Sequence, residues 1–296
     1  MNHILKKYCP RIEFDSYEDF FENFRIDVPE AFNFGFDVVD EWARVEPEKR
    51  ALVWCDDRDE ERTFTFADLS RLSNQAANAF AKLGIGKGDV VMMILRRRWE
   101  YWVCAVALCK LGATIIPASL QLTKKDIVYR ADSARVKAVV CVNDEYVCGQ
   151  MEEALPESPS IENRIIVAGE RDGWTPFDEL IEGESGEFER PTGEGGVTSK
   201  DIMLVYFTSG TTGLAKAVCH NFAHPLGHII TAKYWQQVEE DTLHMSVTDS
   251  GWAKFGWGKI YGQWIAGATI FAYDMDKFVP TKLLQKIQDY KLTTFC

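Results

Sequence analysis

The chain has 296 residues, 46% of them hydrophobic, and a formal net charge of −12. That charge argues against a nucleic-acid binder, which carries a basic stripe, and no run approaches the roughly 18 apolar residues of a membrane span. The polar start Met1-Asn2-His3 lacks the apolar run of a secretory signal. The eight cysteines include no Cys-x-x-Cys pair, and Cys104, Cys109 and Cys141 lie in apolar elements, which reads as reduced core thiols of a cytoplasmic protein.

The clearest helix spans 66–83, where Leu69, Leu72, Ala76, Phe80 and Leu83 make one apolar face and Gly84 stops it. Apolar strands follow at 90–95, 113–117, 137–142, 164–168 and 202–207, alternating with helices. Arg96-Arg97-Arg98, between a strand and a helix, reads as a solvated helix entrance. From 183 to 200 the chain turns glycine-rich and acidic, marking a surface loop or soft boundary. Beyond it, strands at 243–247 and 268–273 alternate with helices at 225–237, 255–265 and 280–290. Nearly all-apolar strands separated by helices predict an α/β fold with parallel sheets covered on both faces. The chain divides into an extension over 1–36, a first α/β subdomain over 37–200, and the start of a second over 201–296.

The strand at 202–207 runs into Thr208-Ser209-Gly210-Thr211-Thr212-Gly213-Leu214-Ala215-Lys216. Glycines let backbone N–H groups approach an anion, hydroxyls donate further hydrogen bonds, and Lys216 adds a positive charge, so the segment suits the phosphates of ATP. It is not a Walker A loop, because the lysine lies three residues after Gly213 and is followed by Ala217. The simpler alternative is a hairpin turn between two strands. A second cluster, Asp249 to Gly258 with Gln263-Trp264 behind it, gathers Trp252, Lys254, Phe255, Trp257 and Gly258. Flat side chains beside glycines can line a slot for an apolar chain; equally, Trp257, Tyr261 and Trp264 recur at the spacing of a helix packed in a core.

These segments resemble the adenylate-forming, AMP-forming superfamily, and within it the acetyl- and medium-chain acyl-CoA synthetases. The resemblance extends to Val28-Pro29-Glu30-Ala31-Phe32, Asp37 to Trp42 and Leu108-Cys109-Lys110-Leu111-Gly112-Ala113, and so covers 17–296. The family usually carries proline where Ala215 stands. The resemblance implies the luciferase-like amino-terminal fold and a ligase that joins a short, medium or aryl carboxylic acid to ATP, releases pyrophosphate, and passes the acyl group to CoA, with Mg²⁺ present. It assigns Thr208, Ser209, Gly210, Thr211, Thr212, Gly213 and Lys216 to the phosphates, and Trp252, Lys254, Phe255, Trp257 and Gly258 to the acyl and CoA pocket. The family's Tyr-Gly-x-Thr-Glu segment, its ribose-binding aspartate and its adenylation lysine have no match. The catalytic residues are therefore expected downstream of Cys296, and the chain is expected to be the amino-terminal portion of a larger enzyme, inactive alone. A silent nucleotide- or acyl-binding module, another adenylate-forming ligase and a scaffold protein are the alternatives.

His220, His224 and His228 recur every four residues, but Asn221 stands where His-Glu-x-x-His has its glutamate. Pro225 favours a first helical turn, leaving His220 ahead of the helix, so the three need not share a face and no metal site is expected.

Overall fold

A computed structural model describes residues 2–208 and 214–296. Its strands are β1 (Arg50–Asp56), β2 (Glu61–Thr65), β3 (Val90–Ile94), β4 (Thr114–Pro117), β5 (Val136–Val142), β6 (Asn163–Val167), β7 (Thr175–Pro176), β8 (Ile202–Thr208), β9 (Lys216–Asn221), β10 (Leu243–Met245), β11 (Thr269–Asp274) and β12 (Thr294–Phe295). They form two sheets, ordered β12-β10-β11-β1-β2 and β7-β6-β5-β3-β4-β8-β9. The inner pairings are parallel, and only the edge strands β2 and β9 run antiparallel to their neighbours. The expected parallel sheets are present. The division expected at residue 200 separates stretches of chain, while each sheet takes strands from both sides of it: β8 and β9 join the larger sheet, β1 and β2 the smaller.

Local chemistry sets the helix boundaries. The helix Phe66–Lys82 opens on a capping box in which Thr65 and Asp68 satisfy each other's backbone N–H groups, and Lys124–Ala134 opens on the same device from Thr123 and Asp126. Helix Glu100–Leu111 ends at Gly112, whose φ of +78° lets the N–H of Ala113 turn back to the carbonyl of Leu108 at 3.0 Å. Every residue of that helix is buried; charged Glu100 and Lys110 survive there only through partners. Glu100 takes both of its contacts from Arg98, at 2.8 and 3.1 Å. Lys110 donates to Asp40 at 2.7 Å, Ser73 at 3.0 Å and Asn74 at 2.5 Å. The amino-terminal stretch docks on the body: Asn2 donates to the carbonyl of Ile265 and the Trp42 indole to that of Trp264, both at 2.7 Å.

Helices His224–Ile230 and Tyr261–Ile265 meet backbone to backbone at Gly262, where a Cβ would lie 2.1 Å from the carbonyl oxygen of His228. Backbone cannot swing aside as a side chain can. Gly262→Ala is therefore expected to destabilise the fold by about 2 kcal/mol or more, read as a fall in the urea midpoint. An unchanged midpoint would mean that these helices are free to separate.

Candidate functional site

Both segments singled out in the sequence leave the carboxyl ends of strands. β8 pairs antiparallel with β9, and Thr208 faces Lys216 in register across the open end of this hairpin. The segment therefore links two antiparallel strands. Ser209, Gly210, Thr211, Thr212 and Gly213 lie outside the described residues. Thr208 and Lys216 are exposed, and the hydroxyl of Tyr129 holds the carbonyl of Ala215 at 2.8 Å. Lys216 opens an edge strand; its place in β9 is hidden in the sequence by the polar loop before it.

The second segment follows β10 and comes to lie beside β8. A Cβ on Gly251 would meet the backbone of Ser119 at 2.4 Å, and one on Gly256 would meet the hydroxyl of Tyr206 at 2.8 Å. Ser119 lies just past β4, the neighbour of β8, and Tyr206 lies two residues before Thr208. The loop and the aromatic segment therefore share one end of the larger sheet, the region outside strand carboxyl ends where α/β folds bind ligands. The glycines serve close packing here more than open space: a Cβ on Gly258 would lie 2.8 Å from the hydroxyl of Ser246.

The aromatic side chains part company. Phe255 is fully buried, with its ring centroid 4.6 Å from Tyr101 and 5.0 Å from Trp102. Trp257 is half-buried against the exposed Trp235, with centroids 5.3 Å apart. Trp252 is 65% exposed, and Lys254 is half-buried. Trp252, Lys254 and Trp257 keep surface facing solvent, while Phe255 packs in the core.

The arginine triplet is not a solvated entrance. Arg97 reaches from the end of β3 to the other sheet, donating to the carbonyls of Tyr273 (3.1 Å) and Met275 and to Asp249 at 2.7 Å. Arg96 donates to Met275 at 3.0 Å and Asp276 at 2.8 Å. Arg98 stacks over Trp54 and pairs with Glu100. Guanidinium groups carry enough fixed donors to close several carbonyls at once. The triplet so joins the two sheets and holds Asp249 at the head of the aromatic segment.

Behind that segment lies a lysine the sequence reading passed over. Lys259 is fully buried, its Nζ is 5.1 Å from the centroid of Phe255, and it has no hydrogen-bond partner among the described residues. Burial pushes its pKa down to about 7, helped by Arg97 and opposed by Asp249 and Asp274. The signal was present: Lys259 follows Phe255 by four residues and so shares its inward helix face.

The three histidines do come together, which corrects the expectation that they need not. Helix His224–Ile230 starts at His224, so His228 lies one turn on along the same face, with its Nε2 3.1 Å from that of His224. β9 brings His220 alongside, with its ring centroid 4.2 Å from that of His224. Burial holds His224 down to about 3 and His228 to about 4, with neighbouring imidazoles adding to both. Among the described residues, no group of three or more His, Cys, Asp or Glu side chains is placed to hold a metal ion.

Residues 39–296 match the sequence profile of the family described as AMP-binding enzyme. The chain belongs to the AMP-binding enzymes. This AMP-binding enzyme is 30% identical over 291 residues to the human acyl-coenzyme A synthetase ACSM3, covering 96% of the chain and 49% of the relative. It is 33% identical over 278 residues to acyl-coenzyme A synthetase ACSM4 of Rattus norvegicus, covering 91% and 47%. The chain spans about half the length of the curated relatives it matches. Its fold is that of the anthranilate CoA ligase AuaEII, solved with anthranoyl-AMP, with a TM-score of 0.79 at 20% identity over 91% of this chain and 50% of that one. The Brucella canis acyl-CoA synthetase gives 0.77 at 20% identity over 89% and 47%. ACSM3 and ACSM4 are both named as mitochondrial, which overturns the cytoplasmic placement expected from the cysteines and the polar start. Compartment is set by an address read elsewhere in the cell, and the buried free thiols at Cys104, Cys109 and Cys141 report packing alone.

Proposed function

We infer that this AMP-binding enzyme is part of an AMP-forming carboxylate–CoA ligase, in which the segment from Thr208 to Lys216 holds the phosphates of ATP. The observation that carries this reading is the placement of Thr208 and Lys216, both exposed, at the open end of a hairpin whose Tyr206 packs on the aromatic segment. A carboxylate is a poor acyl donor because oxide would have to leave; exchanging that oxygen for AMP supplies a good leaving group. The task of Lys216 and the hydroxyls of Thr208, Ser209, Thr211 and Thr212 is to neutralise charge growing on the departing pyrophosphate, an electrostatic role with no proton transfer. With the global charge negative, that attraction has to be local. Trp252, Lys254 and Trp257 are the side chains of the second segment available to an acyl group or to CoA, and bulky indoles favour a short, medium or aryl acid. Mg²⁺ would be held chiefly by the phosphates themselves, with water and one or two carboxylates completing its shell. Family membership favours a ligase over a silent binding module or a scaffold.

The test is carboxylate-dependent acyl-hydroxamate formation by the full-length protein that carries this chain. Lys216→Ala is expected to lower it about a hundredfold. Unchanged turnover in Lys216→Ala combined with Thr211→Ala would remove the loop from the mechanism.

A further inference from the structure

His224 and His228 form a pair that the ligase reading leaves without a task. Their Nε2 atoms face each other at 3.1 Å, and His228 Nδ1 lies 3.3 Å from the hydroxyl of Thr231. Both rings are half-buried, as is His220 beside them, and Tyr261 walls the group, its ring centroid 5.7 Å from that of His224. The charges shifting the two rings are other imidazoles alone. A polar cluster of this kind, with neither a carboxylate to charge it nor a donor set to saturate it, has spare lone pairs.

We propose that His224 and His228 chelate a divalent transition-metal ion of the zinc or nickel type. Two imidazole nitrogens each about 2.0–2.1 Å from a common ion, at an angle between square and tetrahedral, lie about 2.8–3.4 Å apart. The observed 3.1 Å falls within that bite. The spacing of four on one helix face fixes both rings on the same side, and neutral imidazole is the form that ligates. Nitrogen donors select zinc, nickel, cobalt or copper over magnesium and calcium, which take oxygen. Two protein ligands leave the remaining positions to water. Binding takes the place of the contact between the two Nε2 atoms: the ring that carries its proton on Nε2 passes to the Nδ1–H tautomer by exchange with solvent, so both rings ligate as neutral imidazoles and no net proton is released. The site does not depend on the ligase reading, so either can fail alone.

The experiment is calorimetric titration of the untagged chain with Ni²⁺, with Zn²⁺, and with Mg²⁺. One equivalent of Ni²⁺ or Zn²⁺ should bind saturably, Mg²⁺ should not, and His224→Asn and His228→Asn should each weaken the affinity at least tenfold. Absence of saturable binding, or an affinity in either variant equal to that of the unsubstituted chain, overturns the proposal. Should either variant fail to fold, pulsed EPR of Cu²⁺ on the unsubstituted chain decides: two coupled imidazoles support the pair, and one or none overturns it.

Discussion

Replacing Lys259 with methionine is expected to raise the unfolding free energy at pH 7 and to abolish most of the chain's rise in stability toward alkaline pH. The unfolded lysine titrates near 10.4, whereas burial holds the folded one at about 7. With the folded value depressed, the unfolded state binds more protons throughout the window between the two. Stability is therefore fullest above the unfolded value, falls by about 1.4 kcal/mol per pH unit on acidification, and levels out below about pH 7. The total span is on the order of 3–5 kcal/mol. Methionine has similar volume and nothing to ionise, so the variant gains roughly 1–4 kcal/mol at pH 7, as hydrophobic replacements of buried charges do. Urea unfolding at pH 7, 8, 9 and 10 checks both parts. Parallel curves for the two proteins would show that the amine finds a partner in solution.

The opposite sign is expected at Lys110, the other lysine sealed inside the molecule. Its ammonium has three oxygen partners, on Asp40, Ser73 and Asn74. Burial lowers its pKa while Asp40 opposes the shift. The stem is held as closely as the head, since a Cβ on Gly35 would lie 2.6 Å from Lys110 Cγ. Lys110→Met leaves Asp40 and Asn74 facing a methyl thioether, and breaking such a pair is expected to destabilise the fold by about 3 kcal/mol. At pH 7 the urea midpoint should fall below that of the unsubstituted protein, while that of Lys259→Met rises above it. Midpoints moving in the same direction would show that burial alone, and not hydrogen bonding, governs both sites.

The elements legible in the sequence were those whose pattern is local. The helix expected over 66–83 is Phe66–Lys82, and the strand expected over 137–142 is Val136–Val142. Two edge strands escaped. β2 reads Glu-Arg-Thr-Phe-Thr and β9 reads Lys-Ala-Val-Cys-His-Asn, because one face of each meets solvent and apolar periodicity is short there. The arginines at 96 and 97 were misjudged for a different reason: charge suggests solvent, yet their carbonyl and carboxylate partners lie more than 150 residues along the chain. His220 escaped the same way, since register in β9, and not helical spacing, carries it to His224. Loop and aromatic segment were both legible as motifs, but which aromatic faces inward was decided by Tyr101 and Trp102 on another helix.

The interleaving of the sheets bears on how a ribosome delivers this molecule. Leu52 in β1 takes Ile270 in β11 as its neighbour, so the hairpin of β1 and β2 emerges roughly 10–40 s before its parallel partner at ordinary elongation rates. During that interval a run as greasy as Ala51-Leu52-Val53-Trp54-Cys55 has one edge uncovered. Such a nascent strand invites chaperone capture, and slowing translation between residues 65 and 269 should lengthen the exposure and lower the soluble yield.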